Sequence, residues 1–382
     1  MPNAELKDGN ALFHGCNVDQ VFWSARFETI RSEFDYIIIG LGLAGASVAL
    51  RLHQQGKRIL VMDSSAHNTS SRIAAGIFNP VTGRKMTKTW LADRLFPALH
   101  TFYREAEELT NCSFLHSLPI YRPFLSVEEQ NEWMGKSSDP TFATFIRDVL
   151  KGPSMHGVND RMGGLLLDQC GFLDTNAYVE GVRRLMMREQ TYEEALIDEL
   201  GVIHGEDAVR CGKYETGIVI FCTGVRTTSW FRWLPVRPLK GETLQVETAL
   251  PPHWIVNRGA YMVPQGNGWR AGATYNQADH HPGITEESLA ELKSAVEELI
   301  HLPFTVTGQQ WGFRPTTPDR RPLLGRHPEY HRMWTFNGLG TKGVSLAPYF
   351  SGELISAIEN GIPLNKDVDI ERYKSLYWTS LT

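Results

Sequence analysis

The chain has 382 residues, 42% of them hydrophobic and 21% charged, a balance that excludes disordered and fibrous proteins. The length suits two structural units, or one large nucleotide-binding fold carrying an inserted second domain. With 38 Lys plus Arg against 43 Asp plus Glu the net charge is −5, so nucleic acid is not the expected principal partner.

Five scattered cysteines (Cys16, Cys112, Cys170, Cys211 and Cys222) are never spaced as CxxC. They predict neither a disulfide framework nor a cysteine zinc site, and a reducing, cytoplasmic setting. No run approaches the roughly 18 apolar residues of a membrane span. Residues 1–33 lack the apolar stretch of a signal peptide and are read as a leader without an assigned role.

Phe34 to Ile39 is a short apolar, β-branched run of the kind that forms a strand buried on both faces of a parallel sheet. It leads into Gly40, Gly42, Leu43, Ala44 and Gly45, a GxGxxG pattern. A helix is expected from Ala46 to Gln55, stopped by Gly56, and then a strand from Arg58 to Met62 ending at Asp63. GxGxxG alone is weak evidence in a chain with 34 glycines. Its place between strand and helix, with an acid 18 residues beyond Gly45, makes it a dinucleotide fingerprint. The glycines let the backbone approach a pyrophosphate at the helix N-terminus, and Asp63 meets a ribose hydroxyl.

Leu91, Leu95, Leu99, Phe102, Ala106 and Leu109 recur every three or four residues, predicting an amphipathic helix across Lys88 to Leu109. Residues 113–173 read as irregular strands and small helices. Asp174 or Thr175 caps a helix carrying Val179, Val182 and Leu185. Gly217 to Cys222, ending at Gly224, reads as a strand returning to the first sheet.

Leu244 to Glu247, Tyr261 to Val263 and Trp269 to Ala271 read as antiparallel strands with a turn at Gly266-Asn267-Gly268. Thr285 to Ile300 is helical. The C-terminal segment places a strand at Met333 to Phe336 before a second GxGxxG at Gly338, Gly340, Thr341, Lys342 and Gly343. A helix to about Ile358 follows, its start expected to be irregular at Pro348.

In four segments the chain resembles the FAD-dependent amine and amino-acid oxidases grouped around D-amino-acid oxidase, glycine oxidase and sarcosine oxidase. They are DYIIIGLGLAGAS, the run Ser70-Ser71-Arg72-Ile73-Ala74-Ala75-Gly76-Ile77-Phe78-Asn79-Pro80, the run Trp311 to Asp319, and GLGTKGVSLAP. The resemblance spans about residues 34 to 360.

The resemblance implies an α/β fold: a Rossmann-like FAD-binding domain (34–90, 150–230 and 315–382) with an inserted α+β substrate domain (91–149 and 231–314) built on an antiparallel sheet. It implies non-covalent FAD, because no cysteine stands in the terminal loop. Ser70, Ser71, Arg72, Ala74, Ala75 and Gly76 would lie along the cofactor, with Gly224, and the Gly338–Gly343 loop would donate N–H groups to the flavin pyrimidine edge. Arg314 matches the arginine that grips a substrate carboxylate, and Tyr261 the tyrosine that hydrogen-bonds it. Lys342 is expected beside the flavin edge, as a cation favouring the reduced ring.

Thr341 stands where similar glycine oxidases carry a second arginine, so glycine is a doubtful substrate. The expected reaction is oxidation of the C–N bond of a small amino acid or N-substituted amino acid by hydride transfer to flavin N5, giving an imine, with oxygen or a quinone as acceptor. One alternative is demodification of a carboxymethylamino group on tRNA uridine, since AGIF and GLGTKG also resemble the FAD domain of a bifunctional tRNA-modifying enzyme. Another is a flavin-binding protein without turnover. An NAD dehydrogenase would leave the AAGIFNP and GLGTKG segments unexplained. His280-His281, His327 and His331 lack partners at metal-ligand spacing, so no metal is expected.

Overall fold

The structure is a computed structural model and describes residues 33–64, 69–83, 86–195, 201–226 and 229–380. Residues 1–32 of the expected leader lie outside the described residues.

Strand β1 (Phe34–Ile39) lies at the centre of a sheet because Ile37, Ile38 and Ile39 are apolar on both faces and fully buried. It pairs in parallel with β2 (Ile59–Asp63) on one side and with Tyr214–Phe221 on the other, Ile37 standing between Leu60 and Val219. Tyr192–Glu194 extends the parallel set beyond β2, and Met333–Asn337 extends it beyond Phe221. The run ending at Gly224 therefore does return to the first sheet. Helix α1 (Leu43–Gln54) follows β1 and stops where Gly56 takes φ +69°.

Helix α2 (Ser70–Ile73) is a single turn, and α3 spans Ala92–Thr110. The expected start of α3 at Lys88 is corrected. Lys88 belongs to a two-stranded ribbon, Val81–Thr82 with Thr87–Lys88, and Leu91 enters the helix with φ +54°. Asp174 caps Thr175–Arg188 by accepting from the Ala177 N–H at 3.0 Å.

The C-terminal helix is an unbroken Gly343–Asn360, against the expectation that Pro348 would disturb its start. Proline has no N–H, so the Val344 carbonyl would be orphaned in the core. The buried Tyr103 hydroxyl of α3 donates to it at 3.0 Å, and Arg51 of α1 donates to the Pro348 carbonyl at 2.6 Å. The cost of the proline is offset by side chains from two neighbouring helices.

A second sheet contains Ile120–Pro123, Ile146–Leu150, Gly164–Leu167 and the long strands Arg237–Thr248 and Phe304–Thr316, with Ile255–Arg258, Ala260–Gln265 and Gly268–Gly272 between them. All but one of its pairings are antiparallel. Two segments fall differently from the expected division at residues 91, 149 and 150. Helix α3 packs on Gly343–Asn360 beside the first sheet, and Gly164–Leu167 is a strand of the second.

Candidate active site

One cavity of about 540 Å³ runs from the C-terminal end of the first sheet to the face of the second. At the first end, β1 turns into α1 through Gly40, with φ +99°. A Cβ there would lie 2.5 Å from the Cys222 carbonyl oxygen, and one on Gly45 would lie 1.8 Å from the Gly40 oxygen. These two glycines are steric requirements of the turn.

Gly42 gives α1 no side-chain cap. The Leu43 N–H donates to Ser71 Oγ at 3.1 Å. The Gly343–Asn360 helix likewise begins without a side-chain cap, and Gly343 and Val344 line the same cavity. Two helix N-termini without a capping side chain from their own N-cap residue thus face one space, which suits an anionic ligand. Asp63 accepts from the Leu41 N–H at 3.0 Å. Burial holds its carboxyl above the usual carboxylate range, with the backbone N–H groups of Leu41 and Ser64 opposing.

Of the expected cofactor residues, Gly40, Gly42, Leu43, Ala44 and Asp63 line the cavity. So do Ser70, Ser71, Ala74, Ala75 and Gly76 on the α2 side, and Gly224, Gly340, Thr341 and Gly343 opposite. Gly45, Arg72, Gly338 and Lys342 do not. Gly45 is filled by the turn, and Gly338 (φ +70°) packs against Thr317 and Leu323. The Arg72 carbonyl accepts from Asn176.

Lys342 differs most from expectation, being half-buried and away from the cavity wall. Its Nζ donates to Thr82 Oγ1 at 3.2 Å and Thr89 Oγ1 at 3.1 Å, while Thr89 Oγ1 itself donates to the Asn79 carbonyl. The lysine ties the terminal glycine loop to the Ile77-Phe78-Asn79-Pro80 segment. Burial, aided by Arg321 and Arg320, lowers its pKa to about 8.

At the other end of the cavity stand Arg314 and Tyr261. The second sheet makes room for them with glycines. Gly241 and Gly312 are directly opposed on adjacent strands. A Cβ on Gly241 would lie 2.0 Å from Arg314 Nη1. Gly272 is opposed to both Thr243 and Tyr261, and a Cβ there would lie 2.8 Å from the Tyr261 hydroxyl. The guanidinium and the phenol lie where side chains would otherwise stand.

Arg314 Nη1 donates to the Thr274 carbonyl at 3.2 Å, and the Tyr275 ring covers the guanidinium at 4.9 Å. Among the described residues no carboxylate pairs with it. Burial raises the Tyr261 hydroxyl to about 12, with Arg314 opposing, so it is a neutral donor at physiological pH. Sequence reasoning missed Gly241, Gly272, Thr243, Tyr275 and Arg270. Buried Arg270 donates through Nη1 to the Ile73 and Ala74 carbonyls at 2.9 and 3.1 Å, fixing the segment after α2. Glycines inside strands were the available signal, since they mark close approach of another group.

Residues 35–358 match the family model described as FAD dependent oxidoreductase. The chain belongs to this family. It is therefore an FAD-dependent oxidoreductase, and the glycine turns, uncapped helix ends and Asp63 fit an anionic dinucleotide. Glycine oxidase of Bacillus licheniformis is 24% identical, the match covering 91% of this chain and 98% of that protein. A tRNA 5-methylaminomethyl-2-thiouridine biosynthesis bifunctional protein of Saccharophagus degradans is 23% identical, the match covering 76% of this chain and 44% of that one.

The bifunctional ThiO/ThiG protein of Synechocystis is 25% identical over 82% of this chain and 50% of its own length. The chain thus spans about half the length of these bifunctional relatives. Among solved structures, glycine oxidase from Geobacillus kaustophilus superposes with a TM-score of 0.71 at 17% identity, covering 90% of this chain and 98% of that one. Iminodiacetate oxidase from Chelativorans sp. BNC1 gives 0.68 at 19% identity, covering 88% and 98%. Among the described residues no helix is long and apolar enough to cross a membrane, and no His/Cys/Asp/Glu group could hold a metal.

Proposed function

We propose that this member of the family oxidises the C–N bond of a small amino acid or N-substituted amino acid. The observation that carries the reading is Arg314, a guanidinium without a carboxylate partner among the described residues, set in a glycine-lined recess of the cavity that also holds the dinucleotide cradle. A planar fork in such a recess suits bidentate capture of a carboxylate. Tyr261, neutral and beside it, donates to the same group. Together they orient the substrate so that its α-carbon faces the cofactor, which supplies orientation and exclusion of water without a strong protein base.

FAD, when bound, takes up the hydride equivalent and leaves the amine as an imine that hydrolyses. Asp63 would hold the ribose, and the Ala44 N–H with the Ser70 and Ser71 hydroxyls the pyrophosphate. Gly340, Thr341 and Gly343 would meet the ring edge. Non-covalent attachment is supported by the cavity's cysteine, Cys222, whose thiol burial holds far above its ordinary pKa and therefore unreactive.

Anaerobic titration of the yellow protein with amino acids and N-alkyl glycines tests the reading by bleaching of the flavin bands. Arg314→Ala should raise KM about 10- to 150-fold with flavin content unchanged, the effect of deleting a charge-assisted pair of hydrogen bonds. Loss of FAD from that variant would move Arg314 to the cofactor site. A second reading takes the same cavity to a carboxymethylamino group carried on tRNA uridine. It is favoured by the tRNA-modifying relatives and by Thr341 in the terminal loop, and bleaching by modified tRNA at low salt tests it.

A further inference from the structure

The loop from Thr274 to Thr285 carries Tyr275 over the substrate end of the cavity, and it is bolted to the sheet by buried charges. Lys240 and Glu242 are 2% and 1% exposed. The Lys240 backbone exchanges two hydrogen bonds with Asn276, at 3.1 and 3.0 Å, and its Nζ donates to Asp279 Oδ2 at 2.6 Å. At the loop's start the Glu242 N–H donates to Thr274 Oγ1 at 2.9 Å. At its end the Glu242 carboxylate receives the Thr285 N–H, the Thr285 hydroxyl and the Gln309 amide. Asn276 Oδ1 accepts from the Ala278 and Asp279 N–H groups, closing the turn internally.

Tyr275 itself is 63% exposed, yet its ring covers the Arg314 guanidinium and lines the cavity with Tyr261, Trp311 and Phe313. The loop backbone that carries the ring is held in place, and the ring forms the outer wall of the cavity. It presents a flat apolar face next to a carboxylate-binding group, and little of that face would touch a substrate as small as glycine.

We infer that Tyr275 is a specificity-determining residue, held over Arg314 by the Lys240–Asp279 ion pair and the Glu242 hub, and that the preferred substrates are carboxylates carrying a flat apolar substituent. This rests on the reading of Arg314 as the carboxylate grip and names the substrate class for it. Asp279 is a positioning residue, acting through the loop. An aromatic pair beyond simple burial corresponds to roughly a two- to tenfold preference.

The test uses the FAD-loaded protein and two non-oxidisable carboxylates, phenylacetate and acetate, titrated by perturbation of the flavin absorbance. N-benzylglycine and glycine serve as the turnover pair. Tyr275→Phe should keep the phenylacetate-to-acetate affinity ratio. Tyr275→Ala should reduce it about two- to tenfold, with flavin content unchanged. Asp279→Asn should lower the ratio in the same direction and speed amide hydrogen exchange across residues 275–284, which a change confined to the ring would not do.

An unchanged ratio in Tyr275→Ala, with Arg314→Ala still weakening both carboxylates, would overturn the Tyr275 assignment and leave the proposed function standing. Equal affinities for both carboxylates in the wild-type protein would also overturn it. If neither carboxylate bound the wild-type protein, the carboxylate reading of Arg314 would fall and the inference with it.

Discussion

Replacing Gly241 by alanine separates the proposed substrate site from the fold more sharply than removing Arg314 does. The added Cβ would lie 2.0, 2.3 and 2.4 Å from Arg314 Nη1, Nη2 and Cζ. Ordinary contact needs about 3.5 Å, so the guanidinium must retreat by roughly 1.5 Å. That shift breaks the 3.2 Å contact with the Thr274 carbonyl and removes the fork from its recess. What yields is the end of a flexible side chain beside an open cavity, and the strand itself accepts alanine.

Stability should therefore barely change, with Tm within about 2 °C of wild type. A displacement above 1 Å at a binding group costs on the order of 100-fold in reactivity. For Gly241→Ala, kcat/KM toward the best carboxylate amine should fall about 10- to 150-fold, mostly through KM, with flavin content intact. Steady-state kinetics and thermal melts on the single variant, on Arg314→Ala and on the double variant decide the matter. In the Arg314→Ala background the alanine should cost nothing further. An equal loss with and without Arg314 would show that Gly241 acts by another route.

Three further outcomes follow from the buried ionisable groups and the substrate wall. Asp63→Asn should weaken FAD by about 1 to 3 kcal/mol in isothermal titration, because a ligand hydroxyl loses its charged acceptor. In the apo-protein, burial raises the Asp63 pKa, so folding disfavours its charged form relative to the unfolded chain. The Asn variant should therefore match wild type below about pH 4 and gain on it as the pH rises through the raised native pKa, read as Tm against pH.

For Lys342→Met the sign also runs toward stability. The native pKa of about 8 lies below the ordinary lysine value of 10.5, so the unfolded chain holds more protons between them and wild-type stability climbs over that window. The Met variant should be the more stable near pH 7, with its advantage fading from about pH 8 to 10.5, while FAD dissociates faster because the terminal loop is untied from Thr82 and Thr89. A flat difference in Tm across that window would mean that Lys342 titrates normally. Tyr275→Ala should spare FAD binding while losing discrimination among carboxylates.

Much of the nucleotide half was readable from residue order. In β1, the Gly40–Gly45 turn, α1 and β2, each local preference agrees with the tertiary fold. A run buried on both faces can only be an inner strand, and a turn with no room for Cβ must be glycine. The return of Tyr214–Phe221 to that sheet followed from the same apolar run and its terminal glycine. The same locality made Asp174 legible as a cap.

Where long-range packing decides, the sequence was silent or misleading. Pro348 signals a disturbed helix until Tyr103, 245 positions earlier in the chain, supplies the hydrogen bond that Pro348 cannot. Lys342 carries no local mark of burial. Only the meeting of the terminal loop with Thr82 and Thr89 partly covers it. Arg314 and Tyr261 could be picked out by resemblance. Their recess, however, is made by Gly241, Gly272 and Gly312, which come together through strand register, and the ring on the guanidinium belongs to a loop fixed by Lys240 and Glu242. Periodicity encodes which face of an element is buried. Which side chain from a distant segment meets that face is set by the register and crossing of elements, and that information exists only in the folded chain.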